Sequence, residues 1–131
     1  MIQCKRVYAE PAAGDGYRVL VDRLWPRGCR KESLRLDGWL RELAPSAELR
    51  KTFCHVAERF DDSRLHYRNE LAAHQEHWWP LHDRARHGTL TLLFAAKDEQ
   101  LNNAQVLAEF LEDELERQQP GSSPVCYAGE M

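Results

Sequence analysis

Thr89-Leu90-Thr91-Leu92-Leu93-Phe94-Ala95-Ala96 follows a glycine, Gly88, and runs into the polar string Lys97-Asp98-Glu99-Gln100. Nearly every residue in it is apolar or β-branched, so the stretch predicts a strand buried on both faces. Amphipathic helical patterns lie on either side of it in the chain. A strand of this kind, set between helices, belongs at the centre of a parallel sheet.

A second strand is read over Tyr17 to Leu24, where an apolar run ends abruptly in Trp25-Pro26-Arg27-Gly28. Ile2 to Tyr8 reads as a short edge strand, and Gly14-Asp15-Gly16 marks the turn between the two. That connection is short enough for a hairpin. Ser33 opens a helical pattern with Leu34, Leu36, Trp39, Leu40 and Leu43 on its apolar face, and Pro45 ends it. Ser46 can cap the next helix, with Leu49 and Phe53 inside. Asp61 or Asp62 then caps a long segment carrying Leu65, Leu71, Trp78 and Leu81, which Pro80 should kink or restart near Trp79. Asn102 can cap a last helix to about Arg117, with Ala104, Leu107, Leu111 and Leu115 facing the sheet.

The expected fold is therefore α/β, a small single domain with a mostly parallel or mixed sheet of about three to four strands flanked by helices. It should occupy residues 1–118, leaving 119–131 as a tail or a short added strand.

Composition supports a folded protein. Apolar residues make up 43% and charged residues 30% of 131 positions, at a formal net charge of -3, which excludes wholesale disorder. The longest apolar runs are too short to span a bilayer, and no leader-like stretch follows the basic residues at the amino terminus, so a cytoplasmic location is expected. The cysteines Cys4, Cys29, Cys54 and Cys126 show no paired spacing and read as reduced thiols. Charge is uneven: residues 1–51 hold eleven Lys/Arg against seven Asp/Glu, and the remainder is acidic.

In parallel sheets, ligands sit beyond the carboxyl ends of the strands. Two strand ends here deliver polar groups, Asp22, Arg23, Trp25 and Arg27 from one, and Lys97, Asn102 and Asn103 from the other. The second also leads into a helix whose amino terminus favours negative charge. These seven residues are the candidate ligand site, suited to a small anion bearing phosphate or carboxylate. The alternative is a non-enzymatic module that engages a protein or single-stranded nucleic acid through Arg and an exposed Trp25. The acidic balance and the lack of a basic stripe weigh against nucleic acid. No catalytic residue, cofactor or metal is indicated, and oligomeric state is not legible.

Other groups carry less. His74 and His77 share a helix face, but no carboxylate or cysteine at fixed spacing completes a metal site. Cys54 and His55 are adjacent, and on a helix neighbours point about 100° apart, so they would not form a dyad. Cys29 lies among Arg27, Arg30 and Lys31, which should favour its thiolate, yet no base is identifiable. Arg64, Tyr67 and Glu70 could reach the rim or tie helices together, with packing as the expected role.

The string from Gly14 to Gly28, ending Trp25-Pro26-Arg27-Gly28, resembles the YeaO-like family, a domain of unknown function numbered 488 in its series. Leu43-Ala44-Pro45-Ser46 with Glu48-Leu49-Arg50, and Leu92 to Asp98 with Asn102-Asn103-Ala104, extend the resemblance from about Lys5 to Glu112. It implies a small bacterial cytosolic α/β protein without an established activity. Related sequences tend to carry Asp-Pro where this chain has Val56-Ala57, and an aliphatic residue at position 29. The second strand and its loop also look distantly like those of rhodaneses and cysteine phosphatases. The loop from Ala96 to Ala104 has neither cysteine nor arginine, which disfavours thiol-based transfer.

Overall fold

The apolar runs pair side by side in one sheet whose strands all point the same way. In chain order the elements are β1 (Ile2–Arg6), β2 (Tyr17–Leu20), α1 (Lys31–Leu34), β3 (Gly38–Trp39), α2 (Ala47–Phe53), α3 (Phe60–Ala73), α4 (Gln75–His87), β4 (Leu90–Phe94) and α5 (Asn103–Gln118). The computed structural model describes residues 1–53, 60–99 and 102–118. Cys54, His55, Cys126 and the tail at 119–131 lie outside them.

Strand order is β1-β4-β2-β3, and every pair is parallel. β4 is central and buried at all five positions, as its composition requires. Leu90, Leu92 and Phe94 share one face with Val19 and Val21, under Leu49, Tyr67, Leu71, Trp78, Leu81, Leu107 and Leu111 of α2 to α5. Leu20 and Leu93 point the other way, toward Leu34, Val7, Trp25 and Trp39. Helices α2 to α5 therefore cover one face, and only α1 and the loops around it cover the other. Burying each such leucine stabilises the fold by about 1.5–3 kcal/mol relative to exposure.

The uncovered end of the second face is closed by charge. Asp15, 2% exposed, accepts hydrogen bonds from the Ala12 N–H at 3.0 Å, Lys5 Nζ at 3.1 Å, Gln3 Nε2 at 3.0 Å and the Arg18 guanidinium. Arg18 in turn donates twice to the Leu34 carbonyl at the end of α1. Thr91 Oγ1 joins the set by donating to the Asp15 carbonyl and accepting from Gln3. Removing one member would strand its partners in a dry site.

Several expectations need correction. β1 and β2 do not form a hairpin; each pairs in parallel with β4 between them. The helix expected from Ser33 to Leu43 is instead the one-turn α1, the two-residue β3 and a 3-10 turn at Arg41–Leu43. Arg35 ends α1 in the left-handed region at φ 49°, and β2 then captures the chain through Asp37 N–H to Arg18 O and Leu40 N–H to Leu20 O. The long segment breaks at His74, not near Trp79, and Pro80 lies inside α4. Pro80 then falls in the second turn of α4, where it has no N–H to offer the Glu76 carbonyl.

Two helix starts follow the sequence, whereas Asp61 and Asp62, expected as caps, lie within the first turn of α3, where their charge favours the positive end of the helix. Ser46 Oγ accepts from the Leu49 N–H at 3.1 Å, and Asn102 Oδ1 accepts from the Gln105 N–H at 2.9 Å. Asn102→Ala is expected to cost about 1 kcal/mol and lower the melting temperature by roughly 4 °C, while Asn102→Asp keeps most of the stability. Thermal unfolding followed by circular dichroism checks this; equal melting temperatures for Asn102→Ala and wild type would remove the cap from the account.

Candidate functional site

Beyond the carboxyl end of β2, the chain leaves the sheet at Asp22, between β4 and β3. Asp22 is half-buried, and its Oδ2 accepts the Ala95 N–H at 2.8 Å, closing the first peptide past β4. Its carbonyl accepts the Trp39 indole N–H at 2.8 Å. Burial pushes the Asp22 carboxyl above its ordinary range, opposed by the Ala95 N–H, the Asn103 amide and the nearby Arg50 guanidinium. The Asn103 amide also donates to Val21 O at 3.2 Å, so the start of α5 is tied to the end of β2.

Arg23 turns to the helix-covered side. One terminal nitrogen donates to Pro45 O at 3.2 Å, and its Nε is buried with no partner among the described residues. Beside Pro45, Ser46 donates through N and Oγ to Glu70 of α3. Tyr67, buried one helical turn earlier, donates its hydroxyl to Leu43 O. Burial, and then the charges of Asp22 and Glu70, drive the Tyr67 phenol well above its ordinary range, so it stays neutral and donates. Tyr67 and Glu70 thus tie α3 to the chain before α2 and also border the rim.

Trp25 and Arg27 turn to the opposite face. The Trp25 indole donates to Cys29 O at 2.9 Å and meets Trp39 edge to face at 5.3 Å, so its ring is part of the second core. Arg27 is exposed, and its carbonyl accepts from the Tyr8 hydroxyl at 3.0 Å. Cys29 is half-buried against the same cluster. Lys97 is exposed past β4, and Asn102 is spent on its cap and on Asp98 O at 2.8 Å. The structure therefore ties Asp22 and Asn103 together where β2 ends and α5 starts, turns Arg23 to Pro45 on the helix-covered side, and sends Trp25 and Arg27 to the opposite face.

Sequence reasoning missed Arg50 and Ser46 as neighbours of this rim. The signal for Ser46 was its cap position after Pro45; nothing local marks Arg50. A groove of about 510 Å³ lies elsewhere, between α3 and α5, lined by Arg64, Gln105, Glu109 and Asp113 among others. Its ion pairs, Arg64–Glu109 and Arg68–Asp113, are solvated and contribute little to stability.

An open parallel α/β sheet with a polar rim at one switch point defines a class of small domains whose ligand sites lie at strand ends. The chain belongs to the YeaO-like DUF488 family: it matches the family described as the inactive DUF488-N3 subclade over residues 1–128. It is 49% identical to the uncharacterized protein YeaO of Escherichia coli K12 over 110 residues, 84% of this chain and 96% of that protein. It is also 46% identical over 70 residues to the uncharacterized proteins Rv3073c of Mycobacterium tuberculosis and Mb3100c of Mycobacterium bovis, 53% of this chain and 59% of each. No solved structure gives a significant match. No helix among the described residues is long and apolar enough to cross a membrane.

Proposed function

We propose that this chain is a non-catalytic binding domain that takes a small phosphate- or carboxylate-bearing ligand at the carboxyl ends of β2 and β4. The observation that carries the reading is Arg23: a half-buried guanidinium with one nitrogen on Pro45 O and a buried Nε that lacks a partner among the described residues. An arginine held this way offers a planar fork to an anion, and the start of α5 lies across the rim through Asn103. Arg50, already close enough to act on Asp22, adds positive charge, and the exposed Lys97 can close over a ligand. Arg27 would act at longer range, as part of the basic loop.

The absence of catalysis rests on two supports. The matched subclade is described as inactive. Among the described residues, Asp22, Asn102 and Asn103 at the rim are also occupied in holding backbone groups, and the one hydroxyl–carboxylate contact there, Ser46 to Glu70, is engaged in capping α2 through the Leu49 N–H. The competing reading, a protein or single-stranded nucleic-acid module, needs Trp25 as an exposed platform; this ring packs on Trp39 instead.

Calorimetric titration of phosphorylated and carboxylated metabolites tests the proposal. Arg23→Ala is expected to weaken binding by about 1.5–3 kcal/mol, Arg27→Ala by less, and Cys29→Ser hardly at all. Arg23→Lys keeps the charge but loses the fork, and should recover only part of the affinity. Unchanged affinity in Arg23→Ala, or loss in Cys29→Ser, would move the site elsewhere.

A further inference from the structure

At the junction of α3 and α4 the structure brings together three groups that the proposed ligand site does not use. His74 stands between the helices with φ -131° and ψ 60°, outside helical geometry, and its carbonyl accepts the His77 N–H at 3.0 Å. His74 Nδ1 lies 3.5 Å from Glu76 Oε2, and His77 Nε2 lies 3.7 Å from the same oxygen. All three ligand atoms fall within 4.8 Å of one another, and the two imidazoles stack at 5.0 Å with 13° between their planes.

We propose that His74, Glu76 and His77 form a binding site for a divalent transition-metal ion, of the zinc or nickel class, that pins the α3–α4 junction. The chemistry of the set is specific. Two imidazoles and one carboxylate suit late first-row divalent metals, whereas calcium and magnesium demand oxygen-rich shells. Zinc bonds to nitrogen and oxygen are about 2.0–2.2 Å long, so ligand atoms around a tetrahedral ion stand roughly 3.4 Å apart. Two of the three separations are within a few tenths of an ångström of that spacing. Rotation of the two stacked rings can close the third.

The backbone break makes the set possible. Along a continuous helix a residue two before Glu76 would point to another side, while the long Glu76 and His77 side chains, adjacent on the first turn of α4, reach each other at their tips. Because His74 leaves the helix, its ring swings onto Glu76 while His77 stays on the first turn of α4. Remaining coordination positions face solvent, since His74 and Glu76 are exposed. The positive pole at the start of α4 opposes a cation, and the Glu76 carboxylate offsets it.

The test is calorimetric titration of the whole chain with Zn²⁺, with a chelator in competition, and thermal unfolding with and without the ion. Wild type is expected to bind one equivalent and to melt at a higher temperature when loaded, because the ion binds a preformed folded cluster. His77→Gln and Glu76→Gln are each expected to weaken binding at least tenfold and to abolish the thermal shift, while His87→Gln leaves both unchanged. Circular dichroism of the exposed-site variants verifies that they fold. Less than one equivalent bound, equal affinity in His77→Gln, or loss of binding in His87→Gln would overturn the site.

Discussion

Gly16→Ala is expected to cost about 3 kcal/mol or more of unfolding free energy. Gly16 sits at φ 65° and ψ -127°, a combination open to glycine and strained for any residue with a Cβ. A Cβ built there would lie 2.2 Å from the carbonyl oxygen of Thr89. That oxygen accepts the Tyr17 N–H at 3.0 Å, the first rung between β2 and the central strand. The methyl group must therefore either displace the start of β4 or open the ladder. Gly14→Ala is the matched control, because a Cβ at Gly14 meets nothing within 4 Å. Urea unfolding should show a large fall in midpoint for Gly16→Ala and a change within about 0.5 kcal/mol for Gly14→Ala. Equal midpoints would mean that the β1–β2 connection does not cross so close to β4.

Asp15→Ala is expected to destabilise by about 3–5 kcal/mol, because it leaves the buried Arg18 guanidinium without its counter-charge. Asp15→Asn retains an acceptor for the Ala12 N–H and should cost less. The same cluster sets an acid response. Burial alone would raise the Asp15 carboxyl, but the Ala12 N–H, Lys5 and Arg18 outweigh it and hold it below its ordinary 3.8. The folded state thus binds fewer protons than the unfolded one over that interval. The contribution of Asp15 is fully present above about pH 4 and is lost as pH falls through its lower folded value. Asp22 runs the other way: its carboxyl is raised, so its contribution is present at low pH and fades as pH rises. Unfolding midpoints of wild type and Asp15→Asn measured from pH 7 to pH 2 should converge at the acid end. Parallel curves over the whole range would show that Asp15 carries no such linkage.

How far the sequence could be read depends on how local the cause was. β4 was legible because burial on both faces writes itself into consecutive residues, and the caps at Ser46 and Asn102 because each satisfies backbone groups within a turn of itself. β3 was not legible. Leu34, Leu36, Trp39, Leu40 and Leu43 follow helical spacing, yet their partners are β2 and the second core, and a two-residue strand has no period of its own. The break at His74 was assigned to Pro80 because proline is the visible breaker, and with that assignment Glu76 could not be seen as the missing carboxylate beside His74 and His77. At the rim, Asp22 and Arg23 were marked by the abrupt end of an apolar run. Arg50, Ser46 and Glu70 arrive from α2, its approach and α3, and only the packing of those elements on β2 places them there.

The proposed ligand is an anion held beside Arg23 near the rim where β2 ends and α5 starts. The most direct measurement is a titration of the isotopically labelled protein with a phosphorylated metabolite, following backbone amides and the arginine Nε–H resonances by NMR. Saturable shifts of Arg23 Nε–H and of the Asn103 and Ala104 amides are expected, with the groove residues Arg64 and Glu109 unmoved. Shifts confined to that groove, or to Trp25 and Arg27 on the opposite face, would contradict it.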